Sequence, residues 1–446
     1  MRLIYFFIIA YTIIKIGLSA IVPLIGDEAY YWVWAQSLQL SYFDHPPFVA
    51  WLFKVSELGS DYLSPRWASI LLSAGTIFFL VQVSKDLFQS RRGLILWSSV
   101  LMLSPLIGFG SLLVTPDVPL MFFWTLATWF CLRIVRSSRL VDYAFLGIVL
   151  GLGFCSKYHI VLWPLGLLIF LWRDRQWGLV RPSGLLLTAL FGVIFSVPVI
   201  AWNLQNDFSS FRFQVDHGLN QGPWDWRWSI EYVLGQALVL SPLIFSKQFY
   251  QRSPDVDPHR RIHFYLGWTP LVFFLLSSLR GPVELNWPIM SFAHLGLLFF
   301  SEEKTTEAWT LRWSKIYATI WVPLISGIVF CSILPQFNFL HDKLNEPKKY
   351  SEKSAELNQY RPLFASTYQM ASSIWFFSKT PTFKLRGQSR YDLFDELPGS
   401  IPTTHRFYYL KESYQDLPAG YLEKNYHFKE ITSPFDKHNL YEVSVK

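Results

Sequence analysis

The stretch Asp27–Trp51, DEAYYWVWAQSLQLSYFDHPPFVAW, decides how the rest of the chain is read. It follows an apolar run, Leu3 to Pro23, long enough to cross a bilayer as a helix, since about 20 residues rising ~1.5 Å each cover the hydrocarbon. Asp27 and Glu28 should therefore emerge at a membrane surface. Tyr30, Tyr31, Trp32 and Trp34 come next, amphipathic rings that settle at headgroup depth, so a short helix along the interface is expected instead of a second crossing. Asp44 and His45 form a second polar cluster, pinned by Pro46 and Pro47, which fix φ and forbid regular helix at that point.

Composition agrees with a membrane setting. Of 446 residues, 52% are hydrophobic, 18% aromatic and only 16% charged, where a soluble domain carries about 25% charged residues. Mean hydropathy is a modest +0.26, so part of the chain is not embedded. The net charge of +7 sits in short clusters between apolar runs, which fits membrane topology and not a nucleic-acid stripe. Cys131, Cys155 and Cys331 lie far apart in apolar runs without metal-ligand spacing, so neither a disulfide nor a zinc site is expected. The first apolar run is long and lacks a small-x-small cleavage site, and it reads as a retained span.

Candidate spans run from Leu3 to Pro23, Trp67 to Leu87, Leu94 to Val114, Val118 to Val135, Tyr143 to Cys155, Ile160 to Trp172, Leu185 to Trp202, Ile230 to Phe245, Phe264 to Leu279, Pro288 to Phe300 and Ile316 to Leu334. The fold class is thus mainly α, a polytopic membrane helix bundle of about 11 transmembrane helices. With a cytoplasmic N-terminus, alternate loops collect 17 lysines and arginines on the inner side against 6 on the outer. That asymmetry follows the positive-inside rule and puts the tail outside. From about Pro335 the apolar runs shorten and charge rises. Short β-prone pieces, His405 to Leu410 and Leu440 to Val445, predict a small C-terminal α/β extracytoplasmic domain over 336–446, beside a transmembrane domain over 1–335.

On the outer side, the polar residues gather in successive loops. The first carries Asp27, Glu28, Asp44 and His45, the second Asp117, the third Lys157, Tyr158 and His159, the fourth Arg212, Gln214 and His217, and the fifth Arg280, Glu284 and Asn286. Acids and bases on one membrane face suit a charged, lipid-linked substrate: cationic groups clamp a phosphate, and a carboxylate takes a proton from an acceptor. Each residue also has a plainer reading. Asp27, Glu28 and Asp117 fit helix capping. Lys157 fits snorkelling to headgroups, and Arg280 with Glu284 fits a surface pair.

Five ordered pieces carry a resemblance: DEAYYWVWAQSLQLSYFDHPPFVAWL, VTPDVPLMFFW, GFCSKYHIVLWPLGLLIFL, FRFQVDHG and ELNWP. Together they resemble the bacterial branch of the dolichyl-phosphate-mannose protein mannosyltransferase superfamily, glycosyltransferases of the GT-C fold that use phospholipid carriers, with lipid A aminoarabinose transferases as more distant relatives. The resemblance covers most of residues 1–300 and reaches the tail at QSRYDLF. It implies inverting transfer of a sugar from an undecaprenyl-phosphate (polyprenyl-phosphate) donor to a lipid A, glycolipid, polymer or protein acceptor, at the bacterial inner membrane with the site periplasmic. Asp27 matches the family's first-loop aspartate, the expected base, with Glu28 its neighbour. Asp44 and His45 stand where relatives place an acid and a basic or polar residue near the donor phosphate; the aminoarabinose transferases look to have lysine where this chain has histidine. Lys157 and Arg280 are the preferred phosphate contacts, and Asp117, Tyr158, His217, Glu284 and Asn286 complete the expected donor-binding set. No cofactor is required, no metal ligand set is expected, and no nucleic acid is a partner. A transporter or flippase of the same carrier is the competing class; it would favour charges buried mid-span and two-half symmetry, and neither is read from the sequence.

Overall fold

The computed structural model describes residues 1–59, 62–88, 90–219, 222–240, 257–301, 307–334, 346–418 and 424–446. The end of the expected span Ile230–Phe245, the basic residues Lys247, Arg252 and Lys304, and the expected boundary at residue 335 lie outside the described residues. Along the chain the helices are α1 (Arg2–Ile21), α2 (Gly26–Gln36), α3 (Phe48–Ser56), α4 (Trp67–Ser84), α5 (Arg91–Leu103), α6 (Asp117–Ser137), α7 (Leu140–Phe154), α8 (Leu162–Arg173) and α9 (Pro182–Gln205). They continue with α10 (Ser209–Leu219), α11 (Trp226–Val239), α12 (Pro258–Ser277), α13 (Ile289–Phe300), α14 (Glu307–Ile333), α15 (Glu346–Leu357), α16 (Tyr368–Ser378) and α17 (Leu393–Glu396).

Among the described residues, five helices are long and apolar enough to cross a membrane: α1, α4, α6, α9 and Leu311–Cys331 within α14. Three expected spans are shorter apolar helices, Leu140–Phe154, Tyr158–Arg173 and Ile289–Phe300, so the described helices do not by themselves reach about 11 crossings. Phe6, Ile9, Ile13 and Ile14 on α1 are exposed, as are Leu186, Leu190, Val193 and Val197 on α9. Apolar stripes turned outward in this way are stable where the surrounding solvent is lipid, and the chain is a multi-pass membrane protein.

The chain divides into two compact units, residues 1–19 with 40–327, and residues 20–39 with 328–446. This differs from a cut after residue 335 chiefly in assigning α2 to the C-terminal part. In the first unit, small residues let helices approach closely. A Cβ on Gly147 would lie 2.4 Å from the Thr188 carbonyl oxygen, and one on Gly151 would lie 2.6 Å from that of Gly192. The glycines sit four apart on α7, facing α9, the spacing that lets two membrane helices touch backbone to backbone. Gly151→Ala is expected to force the helices apart and cost about 1–3 kcal/mol, read as a lower unfolding temperature in detergent. Elsewhere in the core, Trp124 donates its indole N–H to His294 Nε2 at 2.7 Å, and Trp163 donates to Thr128 Oγ1 at 3.0 Å. Such partners satisfy the polar edge of buried indoles.

The second unit holds a five-stranded sheet in the order β2-β1-β3-β5-β4, from β1 (Leu363–Ala365), β2 (Phe383–Lys384), β3 (Arg406–Glu412), β4 (Tyr426–Ile431) and β5 (His438–Val445). β1 pairs in parallel with β2 and β3, and α16 makes the β1–β2 crossover; the other pairs are antiparallel. The two β-prone pieces expected from the sequence are β3 and β5. Phe364, Leu385, Phe407, Tyr409, Tyr441 and Val443 form the core beneath the sheet. Lys384 is fully buried and donates to Asp392 at 2.7 Å, to Asp395 at 2.5 Å and to the Arg390 carbonyl at 2.7 Å. Burial pushes the Asp392 carboxyl up to about 6, against the pull of the Lys384 ammonium.

In this unit, α2 departs from the interfacial helix expected for it. Tyr30, Tyr31 and Trp34 are buried. Tyr30 lies 4.4 Å from Tyr368, ring to ring, and Trp32 lies 5.2 Å from Phe376. Rings of this kind gain more from a packed protein neighbour than from headgroup contact, because burial removes their whole face from water.

Candidate active site

In the first unit the site is assembled from connections that the sequence places far apart. The loop after α5 delivers Thr115 and Pro116 to the start of α6, whose first residue is Asp117. Lys157 stands in extended conformation before the short 3-10 turn Tyr158–Val161, and Asn286 precedes α13. Lys157 Nζ donates to Asp117 Oδ1 at 2.7 Å, and Asn286 Nδ2 donates to Asp117 Oδ2 at 2.6 Å. Asp117 and Lys157 are each only 6% exposed. Both carboxylate oxygens are thus engaged across the bundle, and the Asp117 side chain makes no capping bond to α6, contrary to its plainer reading. Lys157 likewise does not snorkel. An ammonium carries three donors, and among the described residues Asp117 is the only acceptor that Lys157 meets.

Around this pair the other polar loops converge through aromatic contacts. Phe43 lies 4.7 Å from Phe213, Phe213 stacks on His217 at 5.6 Å, and His217 lies 5.7 Å from Trp287. His159 reaches the same Trp287 at 5.6 Å. Gln214 donates to the Asp44 carbonyl at 2.6 Å, and the Tyr158 hydroxyl meets Ser210 Oγ at 2.8 Å. Asp44 is buried and His45 half-buried, held at the loop by Pro46 and Pro47 before α3 begins at Phe48. His45 and Lys157 are both within electrostatic reach of His159. Arg280 and Glu284 are exposed, and among the described residues they form no ion pair with each other.

A small cavity of about 20 Å³, room for about one water molecule, adjoins Asp117; Ser73, Thr76, Ser111 and Thr115 are among the residues that line it. Behind it stands a residue that sequence reasoning missed. Lys15, buried in the middle of α1, donates to Ser73 Oγ at 2.8 Å, Ser111 Oγ at 2.7 Å and the Gly108 carbonyl at 3.3 Å. An ionisable side chain is therefore buried mid-span after all, its Nζ hydrogen-bonded to three partners. The signal was the lysine itself, since an ionisable residue inside an apolar span needs a partner.

Asp27 and Glu28 belong to the second unit. Glu28 is fully buried, and its Oε2 accepts the Ile25 backbone N–H at 3.2 Å, closing the first turn of α2. For Glu28 the capping reading is the one with geometry behind it. Asp27 is exposed, and its Oδ1 accepts the Tyr368 hydroxyl at 3.3 Å. No cluster of three or more His, Cys, Asp or Glu side chains suited to a metal ion occurs among the described residues.

Three kinds of likeness bear on this site. Residues 44–202 match the family model described as dolichyl-phosphate-mannose-protein mannosyltransferase. The chain is 26% identical over 286 residues to the lipid A galacturonosyltransferase RgtD of Rhizobium johnstonii, covering 60% of this chain and 58% of that protein. It is 24% identical over 279 residues to an undecaprenyl phosphate-alpha-4-amino-4-deoxy-L-arabinose arabinosyl transferase of Pseudomonas savastanoi, covering 56% of this chain and 50% of that protein. The matches thus span little more than half the length of these curated relatives. In fold, the crystal structure of ArnT from Cupriavidus metallidurans bound to undecaprenyl phosphate superposes with a TM-score of 0.71 at 15% identity, over 99% of this chain and 97% of that one. Its apo form gives 0.69. Family match, relatives and fold agree with the ordered motifs: the chain has the GT-C fold and is related to the lipid A aminoarabinose transferases.

Proposed function

We propose that this protein transfers a sugar from an undecaprenyl-phosphate-linked donor to lipid A or another envelope lipid, at the periplasmic face of the inner membrane. The observation that supports this most directly is Lys157: a buried ammonium, fixed by Asp117, with donor capacity left over where several outer loops meet. A phosphate oxygen is the acceptor such a group suits, and Arg280, His45 and His217 supply further cationic or donor capacity in the same set of loops. The donor's prenyl chain stays in the bilayer and its phosphate at the outer surface.

Asp27 is the base. Its carboxylate takes the proton of the acceptor hydroxyl as that oxygen bonds to the anomeric carbon. The bond from that carbon to the phosphate oxygen breaks on the opposite face, the configuration inverts, and undecaprenyl phosphate leaves with both bond electrons. Lys157 stabilises the charge growing on the departing phosphate, while Asp117 and Asn286 hold it in place. Glu28 shapes the helix that presents Asp27.

Purified protein in lipid nanodiscs, given undecaprenyl-phosphate-linked galacturonic acid or aminoarabinose and lipid A, tests the reading by mass spectrometry. The expected result is an acceptor heavier by one sugar together with free undecaprenyl phosphate. Movement of intact carrier across a vesicle without bond cleavage would instead make the protein a flippase.

A further inference from the structure

The helix bearing Asp27 is carried by the C-terminal unit, and the contact is close. A Cβ on Gly26 would lie 2.8 Å from Gln369 Cβ, so α2 meets the start of α16 with room only for hydrogen at that position. Thr367 caps α16 by accepting the Met370 N–H at 3.3 Å, which fixes Tyr368 as the first helical residue. The Tyr368 ring packs on Tyr30, and its hydroxyl donates to Asp27 Oδ1 at 3.3 Å. On the same tyrosine ring, the Arg390 guanidinium carbon lies 4.7 Å from the centroid. The Arg390 carbonyl accepts Lys384 Nζ at 2.7 Å, and three residues on, the Leu393 N–H donates to the Tyr30 hydroxyl at 2.9 Å, tying this segment to α2. The QSRYDLF segment thus places a cation on the tyrosine that touches the aspartate.

We propose that Tyr368 and Arg390, both supplied by the C-terminal domain, are positioning residues for the Asp27 carboxylate, aiming one oxygen and biasing it toward its charged form. This rests on Asp27 being the base. A phenol donating to a carboxylate favours the anion, and a guanidinium over the ring strengthens the phenol as a donor. Charged or titratable groups near Asp27 within this unit include Tyr368 from α16, Arg390 from the loop before α17, Tyr30, whose ring packs on Tyr368, and Glu28 on the same helix, whose Oε2 accepts the Ile25 N–H.

Tyr368→Phe removes one oxygen and leaves both ring contacts. It is expected to lower kcat about tenfold with KM for the lipid donor unchanged, the effect of one hydrogen bond to a charged group. The acid limb of the kcat/KM profile should move up by about one pH unit, because the base has lost a donor that favoured its charged form. Arg390→Ala should shift the limb in the same direction, and Arg390→Lys should restore part of it. A structural role alone would lower folded yield in all three variants and leave the limb where it is; that pattern overturns the proposal. Asp27→Asn, run alongside, separates the two ideas. An inactive Asp27→Asn with a wild-type profile for Tyr368→Phe and Arg390→Ala sinks the positioning pair and spares the base, whereas an active Asp27→Asn sinks both.

Discussion

Asp27→Asn is expected to reduce sugar transfer by about 100- to 10,000-fold, the range that removal of a general base costs, while folded protein in the membrane stays at wild-type level. Asparagine keeps the shape of the side chain and an oxygen for the Tyr368 hydroxyl, but it cannot take a proton at neutral pH. Asp27 is exposed, and surface substitutions of this kind move stability by about 0.5 kcal/mol at most. Its rival role, favouring the positive end of α2, would be worth about 0.3–1 kcal/mol and would touch the unfolding temperature without touching the rate. Single-turnover transfer measured beside thermal unfolding tells the two apart. Wild-type turnover by this variant would remove Asp27 from the chemistry.

Lys157→Met is expected to affect both stability and transfer. Asp117 would keep the Asn286 bond but lose its cation, leaving a carboxylate 6% exposed without charge compensation, at a cost of about 3–5 kcal/mol. Transfer should fall further than instability explains, because the group proposed to meet the donor phosphate is gone. The double variant Lys157→Met with Asp117→Leu makes the distinction sharp. Replacing both members of a buried pair by apolar residues is often neutral for folding, so stability should return toward wild type. Transfer should not. Recovery of transfer together with stability would show that the pair only holds loops together.

Much of the fold and part of the site were legible in the residues. The apolar runs and the uneven spread of lysine and arginine identified a membrane bundle, and alternating β-prone pieces placed strands at β3 and β5. Of the polar residues read in separate loops, Asp117, Lys157 and Asn286 do come together. The aromatic rings of α2 were misjudged, because a Tyr-Trp run looks the same whether its neighbour is a headgroup or the α16 helix some 340 residues on. Lys15 was passed over because lysines were weighed by loop, and it lies inside a span. Tyr368 escaped notice for another reason: its bond to Asp27 joins positions 341 apart, and no local pattern marks a tyrosine as a donor to a distant carboxylate.

The order of residues alone determined what depends on local, additive properties: hydropathy summed over a span, charge summed over a loop, and the stop that two prolines impose on a helix. Tertiary structure alone decided which of two adjacent carboxylates is buried closing a helix turn and which is exposed, and which cation is paired with Asp117. Those outcomes depend on which side chains the packing of helices brings within hydrogen-bond distance, and the partners of Asp117 lie 40 and 169 residues away along the chain.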